Sequence, residues 1–221
     1  MKRTSRLLTL AAAVLVALAA ALGALAFSNE QTAHVHQHRN GVSAKELQLR
    51  NDMRKLWEDH VTWTRLAVIS LTTSSPDTDA TVARLLRNQT DLGSAVKPFY
   101  GRAAGAELTR LLREHITIAA GLIMAAKAGD QPAVTAAQRR WEVNATQIAR
   151  FLSRANPNWR FGPMRSMLRD HLRLTTREVV ARLQRNWTAD VAAYDEIHRQ
   201  ALHMADMLSA GIVAQFPKRF R

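Results

Sequence analysis

Six prolines, at 76, 98, 132, 157, 163 and 217, punctuate a chain in which apolar residues otherwise recur every three or four positions from Ser43 onward. Proline cannot donate the backbone bond that a helix interior needs, and its ring clashes with the preceding turn, so each one marks a connection between helices. Helices are predicted at about 44–71, 79–87, 89–97, 102–128, 132–154, 164–174, 176–185 and 187–215. With only 9 glycines among 221 residues, there is little material for the many turns of a β architecture. The expected fold is therefore all-α: an antiparallel, up-and-down helical bundle with a four-helix core and additional short helices, forming one domain over 44–217. Capping signals support the ends. Thr175-Thr176-Arg177-Glu178 has capping-box spacing, Asn88 stands three before Asp91, and Gly129-Asp130 is suited to ending one helix and starting the next.

The first residues predict the compartment. Lys2, Arg3 and Arg6 precede an unbroken apolar stretch, Leu7 to Ala26, that ends in Ala24-Leu25-Ala26. That is the pattern of a signal peptide cleaved before Phe27, and about twenty apolar residues would also serve as an uncleaved N-terminal membrane anchor. Either way residues 27 onward are expected outside the cytoplasm, secreted or anchored to the cytoplasmic membrane. Residues 27–43 read as a flexible tether whose His34, His36 and His38 could bind copper, zinc or nickel weakly. Lys218 to Arg221 form a basic tail.

Thirty-one basic against eighteen acidic side chains give a formal charge of +13. Losing Lys2, Arg3 and Arg6 would still leave the exported part at +10. Such a charge favours anionic cell-envelope polymer or lipid headgroups, and export removes nucleic acid from the expected partners. Arg165, Arg169, Arg173 and Arg177 follow one another at i, i+4 and form a basic ridge suited to that role. The absence of cysteine excludes disulfides, thiolate metal sites, iron–sulfur clusters and a cysteine nucleophile. No nucleophile elbow, phosphate-binding glycine loop or His-Glu-x-x-His is present either.

Histidine carries the remaining signal. The segments 56–63, 111–118 and 167–174 share the order apolar, apolar, any, acid, His, apolar, any, apolar, and place His60, His115 and His171 at intervals of 55 and 56 residues. A second likeness, 82–90 with 180–188, supports duplication of a helical hairpin. Apolar neighbours three and four away turn each of the three rings inward. On the last helix Asp195, His198 and Asp206 share a face, as do Asn144 and Gln147 on an earlier one. Imidazoles and carboxylates that converge inside a bundle build metal sites, so His60, His115, His171, Asp195, His198 and Asp206 are the candidate ligands of a transition metal or small ligand. Two other readings stay open. One is a purely structural polar layer in a non-catalytic envelope structural or interaction module; the other is a hydrolase or transferase using the His/Asp cluster.

Several motifs together, Leu56-Trp57-x-x-His60-x-x-Trp63-Thr64-Arg65, Ala83-Arg84-Leu85-Leu86-x-Asn88, Pro98-Phe99-Tyr100-Gly101, Met204-Ala205-Asp206 and Gln215-Phe216-Pro217, resemble an uncharacterised family of exported all-helical proteins of Gram-positive bacteria. Members often carry enzyme names such as glycosyltransferase. The resemblance covers nearly everything after the tether and implies fold and compartment rather than an activity. Some members have an acidic residue where this chain has His198, so the resemblance favours His60, His115 and His171.

Overall fold

The computed structural model describes residues 41–221, and the expected leader and the three histidines of the tether lie outside them. The described residues form five helices and a closing 3-10 turn: α1 (Ala44–Thr73), α2 (Thr78–Ala128), α3 (Gln131–Ala155), α4 (Phe161–Leu183), α5 (Trp187–Gln215) and Pro217–Phe220. The described residues are all-α, as expected from the sequence. None of these helices is long and apolar enough to cross a membrane.

The long α2 is two arms. Gly101 adopts φ 85°, a left-handed conformation open to glycine, three residues after Pro98, and the arms fold back on each other as a hairpin. Their closeness is set by Gly93 and Gly105, since a Cβ on either would stand 2.6 Å from the carbonyl oxygen of the other. Gly93→Ala should therefore cost about 1–3 kcal/mol through forced separation of the arms. Gly121→Ala, whose Cβ would meet nothing within 4 Å, should instead gain a few tenths to about 1 kcal/mol. Denaturant midpoints of the two variants check this, and equal midpoints would contradict it.

Counting the two arms, the described chain is three helical hairpins with matching turns. Ser74, Gly129 and Arg185 each take a left-handed conformation, at φ 56°, 72° and 57°. The next residue in each case bonds back five positions, Ser75 to Ser70, Asp130 to Ala125 and Asn186 to Ala181, at 2.9–3.0 Å. This is the bond that ends a helix in a Schellman turn. Asp130 and Asn186 then cap the following helices, accepting from the backbone N–H groups of Ala133 and Ala189. The 55- and 56-residue intervals of the histidines are thus the intervals of a structural unit.

Two expected boundaries are corrected. Asn88 does not separate 79–87 from 89–97; it is fully buried within one arm of α2. Thr175 does not cap a helix, because 164–174 and 176–185 join in α4, where the Thr175 hydroxyl donates to the His171 carbonyl and Glu178 is paired elsewhere. In both places burial of the side chain outweighs its local preference for a cap.

Each helix packs on the next, and α5 packs on α1, so the bundle closes into a ring. One apolar core runs through all five helices and includes Trp57, Ile148, Trp159, Met164, Met204 and Ile212.

Candidate functional site

The first helix of each hairpin carries one of the three histidines to the centre of the ring. Lys127 of α2 bonds to the Leu71 carbonyl of α1, and Glu178 of α4 to Arg65 of α1, so α1, the second arm of α2 and α4 run in the same direction with their histidines at one level. His60, His115 and His171 are 4–5% exposed. The rings of His60 and His171 stand 5.9 Å apart, tilted by 39°. His60 also meets Trp57 edge-on, and His115 lies 5.2 Å from Trp141. All three rings line one cavity of about 30 Å³, walled elsewhere by apolar residues such as Val68, Ile116 and Ile123, together with Thr64 and Thr175. That volume holds a water molecule or an ion and excludes an organic substrate.

The second helix of each hairpin supplies a carboxamide that holds the ring. Asn144 Oδ1 lies 2.8 Å from His115 Nδ1, while its Nδ2 donates to the Leu111 carbonyl at 3.1 Å. Gln200 repeats this at His171, with Oε1 2.9 Å from Nδ1 and Nε2 donating to the Met167 carbonyl at 3.1 Å. Because each amide nitrogen is committed to a carbonyl, the oxygen faces the ring, so Nδ1 carries the proton and the lone pair falls on Nε2. At His60 two amides share the work. Asn88 Nδ2 donates to the Leu56 carbonyl at 3.0 Å, and Gln89 Nε2 lies 3.2 Å from Nδ1. In every hairpin the carbonyl so engaged lies four residues before the histidine.

These rings are neutral near pH 7. Burial pushes His60 down to about 3, with the nearby His171 and His115 acting in the same sense and Asn88 opposing. Burial likewise brings His115 down to about 4 against the hydrogen bond to Asn144, and lowers His171 against that to Gln200. The Thr64 hydroxyl and the Trp141 indole N–H, on residues that line the same cavity, are buried without a partner among the described residues.

Comparison with protein-family models, curated proteins and solved structures gives no match.

The other three candidates lie elsewhere. Asp195 is exposed. His198 stands 3.6 Å from Glu58 at the surface, and Asp206 forms a two-pronged pair with Arg54. Residues 195 and 206 do share a face of α5, as expected, but it is the outward one; the inward face is Ala193, Ile197, Ala201, Met204 and Leu208. Gln147 is exposed as well, and only Asn144 of that pair reaches the interior. Among the described residues no group of three or more histidine, aspartate or glutamate side chains is arranged to hold a metal ion.

A second buried polar cluster escaped the sequence reading. One to two turns from the histidines, Arg65 donates to Glu178 at 2.6 Å and to both oxygens of Asp190 at 2.8 and 3.1 Å, and Arg182 also donates to Asp190. Both carboxylates are 1% exposed. Burial pushes Glu178 up to about 7 against the pull of Arg65. Burial would raise Asp190 too, but the hydrogen bonds from Arg65 and Arg182 outweigh it and hold that carboxyl low.

Proposed function

We propose that this domain is an extracytoplasmic, non-enzymatic binding module whose triple-histidine chamber takes one small ligand, a first-row divalent metal ion being the ligand its chemistry suits. The location rests on the leader pattern of residues 1–26. The observation that carries the proposal is the cavity of about 30 Å³ lined by neutral imidazoles from three separate hairpins. Two of them, His115 and His171, are held through Nδ1 so that Nε2 is the nitrogen with a free lone pair. Metal-binding imidazoles are neutral, and their second nitrogen is held by an outer hydrogen bond, which here would be the role of Asn144 and Gln200. Imidazole donors suit zinc, copper and nickel. Among the described residues the rings as they stand are not arranged to hold an ion, and His60, whose Nδ1 faces the Gln89 amide nitrogen, would have to turn for all three to engage one. Among the described residues no carboxylate borders the cavity to orient a ring for proton transfer, so the hydrolase and transferase readings draw no support from the chamber.

The test uses protein without a histidine tag, with His34, His36 and His38 changed to Ser so that the tether cannot compete. Titration with zinc, nickel and copper should give one ion per chain and a melting temperature that rises with metal concentration. His115→Gln and His171→Gln should each abolish both effects. Binding that is absent, or that survives these changes, refutes the metal reading.

A structural role alone is the second reading, favoured by the way each carboxamide ties a histidine to its partner helix and fixes hairpin register. Under it the same variants lower the melting temperature and no metal binds.

A further inference from the structure

Where α3 packs on α4, arginine gathers without matching acid. Arg139, Arg150, Arg165 and Arg169 are exposed, and none forms an ion pair among the described residues. The ridge expected on α4 is narrower than its spacing implied, because Arg177 pairs with Glu196 of α5 and Arg173 lies 3.6 Å from Asp170. Charge is instead shared between two helices. Beside them runs an open, shallow trough in two stretches, of about 350 and 560 Å³, that meet at Glu142 and Arg169; the first lies between α3 and α4, and the second runs along α3 with Arg169 alone from α4. From Gln138 to Arg150 it extends about 18 Å along α3. Thr146, Gln147 and Thr176 add hydrogen-bonding groups to its walls.

We propose that this trough binds a single-chain, phosphate-bearing polyanion lying along the α3–α4 groove. Its free cations are all guanidinium groups, whose planar fork matches a pair of phosphate oxygens as an ammonium does not. Its shape selects among anions. A nucleic-acid duplex is wider than two packed helices, whose axes are about 8–10 Å apart. Single-stranded nucleic acid is held by aromatic faces on which bases stack, and the aromatic ring at this end, Phe161, is already covered by Arg150 and Arg165 at 5.8 and 5.4 Å. Among the described residues Glu142 is the single acid lining the trough and repels an anion at its midpoint, so phosphates bind to either side of it. This site is separate from the histidine chamber and stands or falls without it.

Linear inorganic polyphosphate of about ten units is the probe, used with the whole exported chain and followed by titration calorimetry at two salt concentrations. Affinity should fall as salt rises, and Arg150→Gln with Arg169→Gln should weaken binding about tenfold. Glu142→Gln should tighten it. Arg87→Gln with Arg102→Gln, which removes equal charge from α2, should change it less than twofold. An equal loss in that control would show general attraction to a basic protein and overturn the proposal. Tighter binding to phosphatidylglycerol vesicles or to single-stranded DNA, lost in the Arg150/Arg169 variant, would overturn it in favour of a lipid or nucleic-acid partner.

Discussion

Acidification from pH 7 to pH 4 is expected to remove about 6 kcal/mol of folding stability through His60 and His115 alone, with His171 acting in the same direction. An unfolded imidazole takes up its proton near 6.5, whereas the buried rings of His60 and His115 do so only near 3 and 4. Their contribution is complete above pH 6.5 and is lost as the pH falls toward the folded values, since the unfolded chain binds protons first. Glu178 has the opposite sign. Its folded value of about 7 exceeds the ordinary 4.5, so a penalty present above pH 7 lifts on the way to pH 4.5 and returns about 3 kcal/mol. Three rings outweigh one carboxyl, and against a usual total of about 5–15 kcal/mol the domain should be markedly less stable in mild acid. Urea midpoints at pH 7, 5.5 and 4 measure this. His115→Gln should make the decline shallower, Glu178→Gln should make it steeper, and a midpoint that holds or rises on acidification would refute the account.

Arg65→Met should cost about 3–5 kcal/mol at pH 7.5, because it strands two buried carboxylates that share this guanidinium. Arg182 still reaches Asp190, but nothing else reaches Glu178 among the described residues. The loss should shrink at pH 5.5, where Glu178, freed of Arg65, is protonated and no longer needs a counter-charge. Replacing Arg65 and Glu178 together, by Met and Leu, should cost much less than Arg65→Met alone, since apolar groups of similar size replace a buried pair without leaving a charge behind. Equal losses for the single and double variants would show that Arg65 acts through packing, including its contact at 4.8 Å with the Tyr194 ring.

The helical class and the inward turn of His60, His115 and His171 were legible because both depend on periodicity, which a single strand of text records. The turn at Gly129-Asp130 was legible for the same local reason. What escaped was pairing across helices. Asp195 and Asp206 share a stripe of α5, but periodicity alone does not say which stripe faces in; that is decided by the competing row of Ala193, Ile197, Ala201 and Met204. Gln89, Asn144 and Gln200 recur at the intervals of the histidines, each 29 residues after one, so a search for amides at that offset would have found the clamps. Arg65, Glu178 and Asp190 offered no such clue, being separated by 113 and 125 positions with no repeat to connect them.

Closure of the ring has a mechanical consequence. Each hairpin joins residues about thirty apart and can zip locally, whereas the α1–α5 seam joins Arg54 to Asp206 and Arg65 to Asp190, across 152 and 125 residues. Loop closure on that scale comes late in assembly, because its entropy must be spent before any contact repays it. The cluster of Arg65, Glu178, Asp190 and Arg182 therefore acts as the clasp of a bracelet, joining the two ends of the ring once the hairpins have formed.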